Sequence, residues 1–427
     1  MTTGTNGTTT RADGTMTRAD DGATARAADD VTARADNATT RTDDTTTRTN
    51  GATARAADDA TAPANGPHDE PARHHVGARP VAPYRDDRAD EYVDRHWAAV
   101  LAGDEHAAAG VVGDALDAGL EPEAVLLDVI GVVQHKVGLE WAANRMSVAG
   151  EHAATAINDR VIATLPARRP TADRGRVTVA CVDQEWHALP ARLVAETLRL
   201  RGWEVDYLGA QVPTAHLIGH LHRTAPDVVC LSSSLPTRLP LAHTSITACQ
   251  ATGTPVMVGG LAFGTDGRYA RLLGADAWAP EARTAADRLA AGPLPPPRPP
   301  HQAVDDLPHL ADQEYTMVAK SSPQLVRDTF QRLERRFPAM SGYSDEQRER
   351  TAEDLAHIVD FLTAALYADA DEIFTDFLTW TADVLTVRGV PARSLLPALD
   401  LLQEQLRDFP RTRRLLDAGR AALDPRH

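Results

Sequence analysis

Three cysteines in 427 residues are too few to cross-link a chain of this length, and Cys181, Cys230 and Cys249 are not spaced as a metal site. Two fall in predicted strands and one in a predicted helix, which reads as buried, reduced thiols in a reducing compartment. No apolar run approaches the length of a membrane-crossing helix and no signal peptide opens the chain, so the expected location is the cytoplasm. Basic charge is scarce as well: 44 Lys and Arg against 60 Asp and Glu leave a net charge of -16. Phosphate binding needs a concentrated basic face, and no basic helix-turn-helix pattern appears, so direct nucleic-acid binding is not expected. What is present is an apolar content of 43%, enough to core two or three domains.

The chain divides by texture. In residues 1–85, Arg11, Arg18, Arg26, Arg34, Arg41, Arg48 and Arg55 recur every seven or eight positions, but Thr, Ala, Asp and Gly lie between them and no apolar seam forms. Such a segment cannot bury enough surface to offset its ordering entropy and is predicted to be a disordered tail. Residues 86–170 read as helical. In residues 174–292 five short apolar segments, RVTVACV, EVDYLGAQVP, DVVCLSSSLP, TPVMVGGLAFG and ADAWAP, alternate with helical stretches, the pattern of a doubly wound, Rossmann-like five-stranded parallel sheet. The Pro-rich stretch within 293–315 reads as a stiff linker. Residues 316–427 read as an all-α bundle, with Leu355, Ile358, Val359, Leu362 and Leu366 as a core-facing stripe. The bundle's His357 and Trp380 are assigned no chemistry.

The segment WAANRMSVAGEHAATA, residues 141–156, carries the strongest functional signal. It reads as a helical hairpin: one helix ends near Trp141, Asn144 and Arg145 supply the turn, and Ser147 caps a helix containing Val148, Glu151, His152 and Ile157. Trp141, Glu151 and His152 can then face one pocket. The second signal, DQEWHALP at 183–190, follows the first predicted strand and precedes a helix. His187 is thus placed in a loop at the carboxyl end of a strand, where open α/β sheets bind ligands. Glu185 stands two positions earlier, and a carboxylate holding one imidazole nitrogen while the other binds metal is a common arrangement. Small residues at later strand ends, Ser232 to Ser234 and Gly259–Gly260, suggest a groove with close backbone approach.

Taken in order, Glu185-x-His187, Ser233-x-Leu235-x-Thr237 and Gly259–Gly260 resemble the cobalamin-binding domain, whose pattern is D-x-H-x-x-G, S-x-L-x-T and G-G. The helical segment upstream resembles the four-helix cap that precedes that domain. Its W-x9-E-H spacing resembles the CarH/LitR-type photoreceptors that bind adenosylcobalamin. The resemblance covers about half the chain. It implies His187 as the lower axial ligand to cobalt, with Glu185 orienting it. It also implies Ser233 and Thr237 along the slot for the nucleotide tail, and Gly259 and Gly260 against that tail. On the upper side, Trp141 and Glu151 would meet an adenosyl group, with His152 nearby.

The chain departs from the pattern at several points. Glu185 replaces Asp, Pro190 stands where the pattern has Gly, and Ala142 stands where the photoreceptors carry a histidine that takes cobalt after photolysis. Their DNA-binding domain is absent from the N-terminal segment. The resemblance therefore leaves three functions open. The first is a non-enzymatic cobalamin sensor, adenosylcobalamin-dependent and light-responsive, acting through another regulatory protein. The second is a corrinoid carrier for methyl transfer, holding methylcobalamin. The third is a degenerate scaffold that binds nothing. A homo-oligomer is compatible with each.

Overall fold

The computed structural model describes residues 88–165, 172–297 and 307–423. The expected tail at 1–85 and residues 298–306 of the expected 293–315 linker lie outside the described residues, while the linker's last residues form a short 3-10 turn, Pro308–Asp312, and the start of a helix at Glu314. No helix among the described residues is long and apolar enough to cross a membrane.

The first unit is a four-helix cap. Helices α1 (Ala89–Leu101) and α2 (Glu105–Asp117) are followed by a long third helix, α3, built from Pro122–Ala124, a π-helical turn Val125–Ile130 and Gly131–Ala142. Helix α4 (Val148–Ala163) follows after the expected hairpin turn: Asn144 takes the left-handed conformation at φ 54°, and the Ser147 hydroxyl accepts from the Gly150 N–H at 3.1 Å.

The second unit is the sheet domain, with β1 (Arg176–Cys181), α5 (Ala188–Leu200), β2 (Glu204–Gly209), α6 (Thr214–Thr224), β3 (Val228–Ser232), α7 (Leu239–Ala251), β4 (Val256–Gly259), α8 (Arg268–Leu272), β5 (Ala277–Ala279) and α9 (Ala282–Ala290). All five expected strands form, entirely parallel, in the order β2-β1-β3-β4-β5. Strand residues alternate between two apolar clusters. Val177, Val179 and Cys181 pack with α5 and α9, whereas Ala180 and Val182 pack with α6, α7 and α8. The three cysteines are buried free thiols, and burial pushes each thiol up to about 12, which leaves it protonated and inert as a nucleophile.

The C-terminal bundle comprises α10 (Glu314–Arg336), α11 (Asp345–Ala368), α12 (Asp371–Val387), α13 (Leu396–Gln405) and α14 (Pro410–Ala422). The Leu355–Leu366 stripe is buried as its spacing predicts. Its core continues without a break into the α6–α8 face of the sheet domain. His243 of α7 bonds the Tyr367 hydroxyl at 2.8 Å, and the Tyr269 hydroxyl donates to Glu372 at 2.8 Å.

The cap is seated on the opposite face. Its core includes Leu189 of α5, with Leu193 and Leu200 packed against it. Ion pairs lock this seat: Arg283 of α9 holds Asp128 of the π turn through both guanidinium nitrogens, at 3.0 and 2.7 Å, and Arg201 holds Glu123 at 2.7 and 2.8 Å. Cap and bundle are thus anchored on opposite faces of one sheet.

Candidate functional site

In this strand order the connections reverse direction between β1 and β3, and the crevice at the carboxyl ends of those two strands is where such sheets hold ligands. The register aligns Cys181, Ser232 and Gly259 across β1, β3 and β4. The three loops that carry the motifs therefore leave the sheet side by side.

The loop after β1 folds back on itself. Gln184 takes a left-handed φ of 62°, and the Glu185 N–H donates to the Val182 carbonyl at 2.9 Å. This turn drops the fully buried Glu185 side chain beneath the loop. One carboxylate oxygen accepts from the His187 N–H at 2.9 Å and from His187 Nδ1 at 2.6 Å. The other accepts from the Ser233 hydroxyl at 3.1 Å and from the N–H groups of Ser234 and Leu235 at 2.6 and 3.3 Å. Burial alone would push this carboxyl up, but the donors from His187 and Ser234 outweigh it and hold the pKa at about 2.

A carboxylate only accepts, so Nδ1 of His187 carries the proton and Nε2 becomes the ring's acceptor. The His187 side chain is 55% exposed, at the N-cap of α5. Pro190 lies in the first turn of α5, where backbone N–H groups have no helical partner and the proline ring costs nothing.

Gly260 sits at φ 100°, and a Cβ there would stand 2.2 Å from the Ser233 carbonyl oxygen; one on Gly259 would stand 2.9 Å from that of Ala279. The close approach that these glycines permit is therefore between neighbouring strand-end loops. Gly260→Ala should cost about 2 kcal/mol, read as a lower urea midpoint, because this backbone region is essentially reserved for glycine. A midpoint equal to wild type would contradict it. Thr237 is half-buried on a short 3-10 turn, Pro236–Arg238, that packs against α11.

The cap contributes the other expected group. Trp141 ends α3, and Glu151 lies in the first turn of α4. His152 Nδ1 lies 3.0 Å from the Val148 carbonyl and 2.8 Å from Glu151. Glu151 is held by a chain of side chains that the motifs do not single out. Thr155 donates to Glu151 at 2.8 Å, Gln134 to Thr155 at 2.8 Å, Asn158 to Gln134 at 2.8 Å, and buried His96 bonds Asn158 at 2.9 Å. Burial lowers the pKa of His96, which keeps it neutral. Positions 151, 155 and 158 share one face of α4, so this polar stripe was available in the spacing.

Two further contacts emerge only in the fold. Trp380 of α12 stacks on Trp141, with ring centroids 6.2 Å apart at 27°. Arg238 reaches from the 3-10 turn to Gln184 at 3.2 Å, and its Nε is buried without a partner.

These residues fit a corrinoid. Among the described residues, no group of three or more His, Cys, Asp or Glu side chains gathers to chelate a bare ion, so a metal held here would arrive inside a group of its own. His187 would hold such a group through Nε2, and the unmet donor on Arg238 would be available to its polar edge.

Residues 175–290 match the B12 binding domain family, and residues 92–165 match a second B12 binding domain family. Over 185 residues the chain is 31% identical to the HTH-type transcriptional repressor CarA of Myxococcus xanthus, which covers 42% of this chain and 61% of that protein. The chain thus spans about three fifths of that relative's length. Among solved structures, the monomethylamine corrinoid protein of Methanosarcina barkeri aligns over 48% of this chain and 99% of its own, at 18% identity and a TM-score of 0.41. A cobalamin-binding protein from Desulfitobacterium hafniense aligns over 47% of this chain and 97% of its own, at 19% identity and a TM-score of 0.27. The two family matches thus fall one on the helical cap and one on the sheet domain, which makes this a chain with B12-binding-type domains at residues 92–165 and 175–290.

Proposed function

We propose that this chain is a cobalamin-dependent sensor that holds adenosylcobalamin, responds to light and passes its state to a partner protein. The Glu185–His187 pair carries the reading: a buried carboxylate tied to Nδ1 leaves Nε2 as the nitrogen that would hold the cobalt. When bound, adenosylcobalamin supplies a cobalt–carbon bond that light can break.

The protein's own residues do the rest. Glu185 fixes the imidazole tautomer. Thr155 and Gln134 hold the Glu151 carboxylate in place on the cap. Trp141 joins the cap to the bundle through Trp380, so a change beneath the cap has a path to the C-terminal surface. A switch requires contacts that differ between its two states, and this junction supplies a place for them.

Ala142 favours a second reading, a methyl carrier. It withholds the imidazole that would otherwise capture cobalt after loss of the upper group.

One dark loading experiment tests both. Retention of adenosylcobalamin through desalting, with a spectral change under green light, supports the sensor. Preference for methylcobalamin, with methyl loss to a thiol acceptor and no light response, supports the carrier. A colourless protein sinks both readings. His187→Ala should lose the nitrogen-ligated spectrum while keeping wild-type circular dichroism.

A further inference from the structure

We propose that Trp380 of the C-terminal bundle completes the upper-ligand subsite, forming with Trp141 a two-indole stacking surface that selects corrinoids bearing a purine nucleoside over those bearing a small upper group. The proposal rests on the corrinoid reading above and adds to it a residue from outside both B12-binding segments.

The first observation is the placement of the pair. Trp141 comes from the cap and Trp380 from α12, so two units anchored on opposite faces of the sheet meet at these rings. The second is that neither indole belongs to any of the three apolar clusters that core the protein. Trp380 remains 45% exposed. An indole serving only to glue two units together would bury its large apolar area, because that area is its main contribution. Near-parallel, partly open rings instead offer a face to a flat heterocycle.

The third observation is that the bundle also reaches the loop that carries the axial histidine. Helix α11 packs on the Pro236–Arg238 turn, and Arg238 of that turn donates to Gln184 of the 183–187 loop at 3.2 Å. The bundle therefore packs on the turn that meets the 183–187 loop and contributes a ring at the cap.

Such a surface discriminates by shape. A purine stacks on indole and gains dispersion over its whole face, while a methyl or hydroxo group has no face to offer.

The test uses the full chain in the dark, as wild type, Trp380→Ala and Trp380→Phe, with adenosylcobalamin, methylcobalamin and hydroxocobalamin measured by equilibrium dialysis. Trp380→Ala should weaken adenosylcobalamin about tenfold, the scale of one aromatic stacking contact, and change the other two by less than about twofold. Trp380→Phe should fall between. Thermal unfolding of both variants checks that they fold, and the phenylalanine variant keeps a ring should the alanine variant not fold. Equal weakening for all three cobalamins would make Trp380 a general wall and overturn the proposal. Tighter adenosylcobalamin binding would make it a plug and overturn it equally, as would no change at all. If wild type retains no cobalamin, the corrinoid reading itself fails; if wild type binds and the variants do not discriminate, only the stacking surface fails.

Discussion

Glu185→Ala is expected to lower stability by about 4–5 kcal/mol, the largest effect of any single side-chain truncation near the site. The substitution removes the shared acceptor of the His187 N–H, the His187 ring, the Ser233 hydroxyl and the N–H groups of Ser234 and Leu235. Bonds to a charged group contribute about 1.5–3 kcal/mol each, and buried donors left unmet add to the loss. Part is recovered because water can enter the space, which keeps the total below the simple sum. Urea unfolding of the ligand-free protein measures it, and a loss under about 1 kcal/mol would mean that the loop is ordered by something else.

The same residue sets an acid limit. Its folded pKa of about 2 lies below the ordinary carboxylate value of 4.5, so its stabilisation is fully present above pH 4.5 and is lost as pH falls from there toward 2. Glu185→Gln should flatten that limb of the stability profile. A limb as steep as wild type would assign the acid sensitivity to other carboxylates.

Arg283→Met is expected to cost about 3–4 kcal/mol by stranding Asp128 at the seat of the cap. The two groups pair through both guanidinium nitrogens, with side-chain exposures of only 16% and 8%. Removing one member of such a pair leaves a desolvated charge, which costs far more than removing both. The double variant Asp128→Leu with Arg283→Met should therefore recover most of the loss. Urea midpoints for the four proteins of this cycle measure the coupling, and additive losses would show that the pair is not the anchor of the cap.

Much of this arrangement was legible in the chain. The Trp141–Ser147 turn could be read because helix stop, left-handed turn residue and N-cap each have their own residue chemistry. The five strands could be read from short apolar runs punctuated by turn residues. The Glu185–His187 bond could be anticipated because two residues in one loop have little freedom to separate.

The contact between Trp141 and Trp380 could not. Helical periodicity puts Trp380 on the flank of the apolar face of α12, beside Ile373 and Val384, but does not say which unit it meets. The continuity of the bundle core with the sheet domain was hidden for the same reason: a stripe on α11 looks identical whether it packs within its own bundle or on α7. The roles of Gly259 and Gly260 were half visible. Glycine announces a close approach without saying whether a ligand or a neighbouring loop makes it.

The seating of cap and bundle on opposite faces of one sheet makes the molecule a caliper. Its arms do not hinge on a loop, since the bundle shares one apolar core with the strands and the cap shares another with α5. Their tips come together at the Trp141–Trp380 rings, so a displacement of either arm must be met at that contact or absorbed across the layer that joins them.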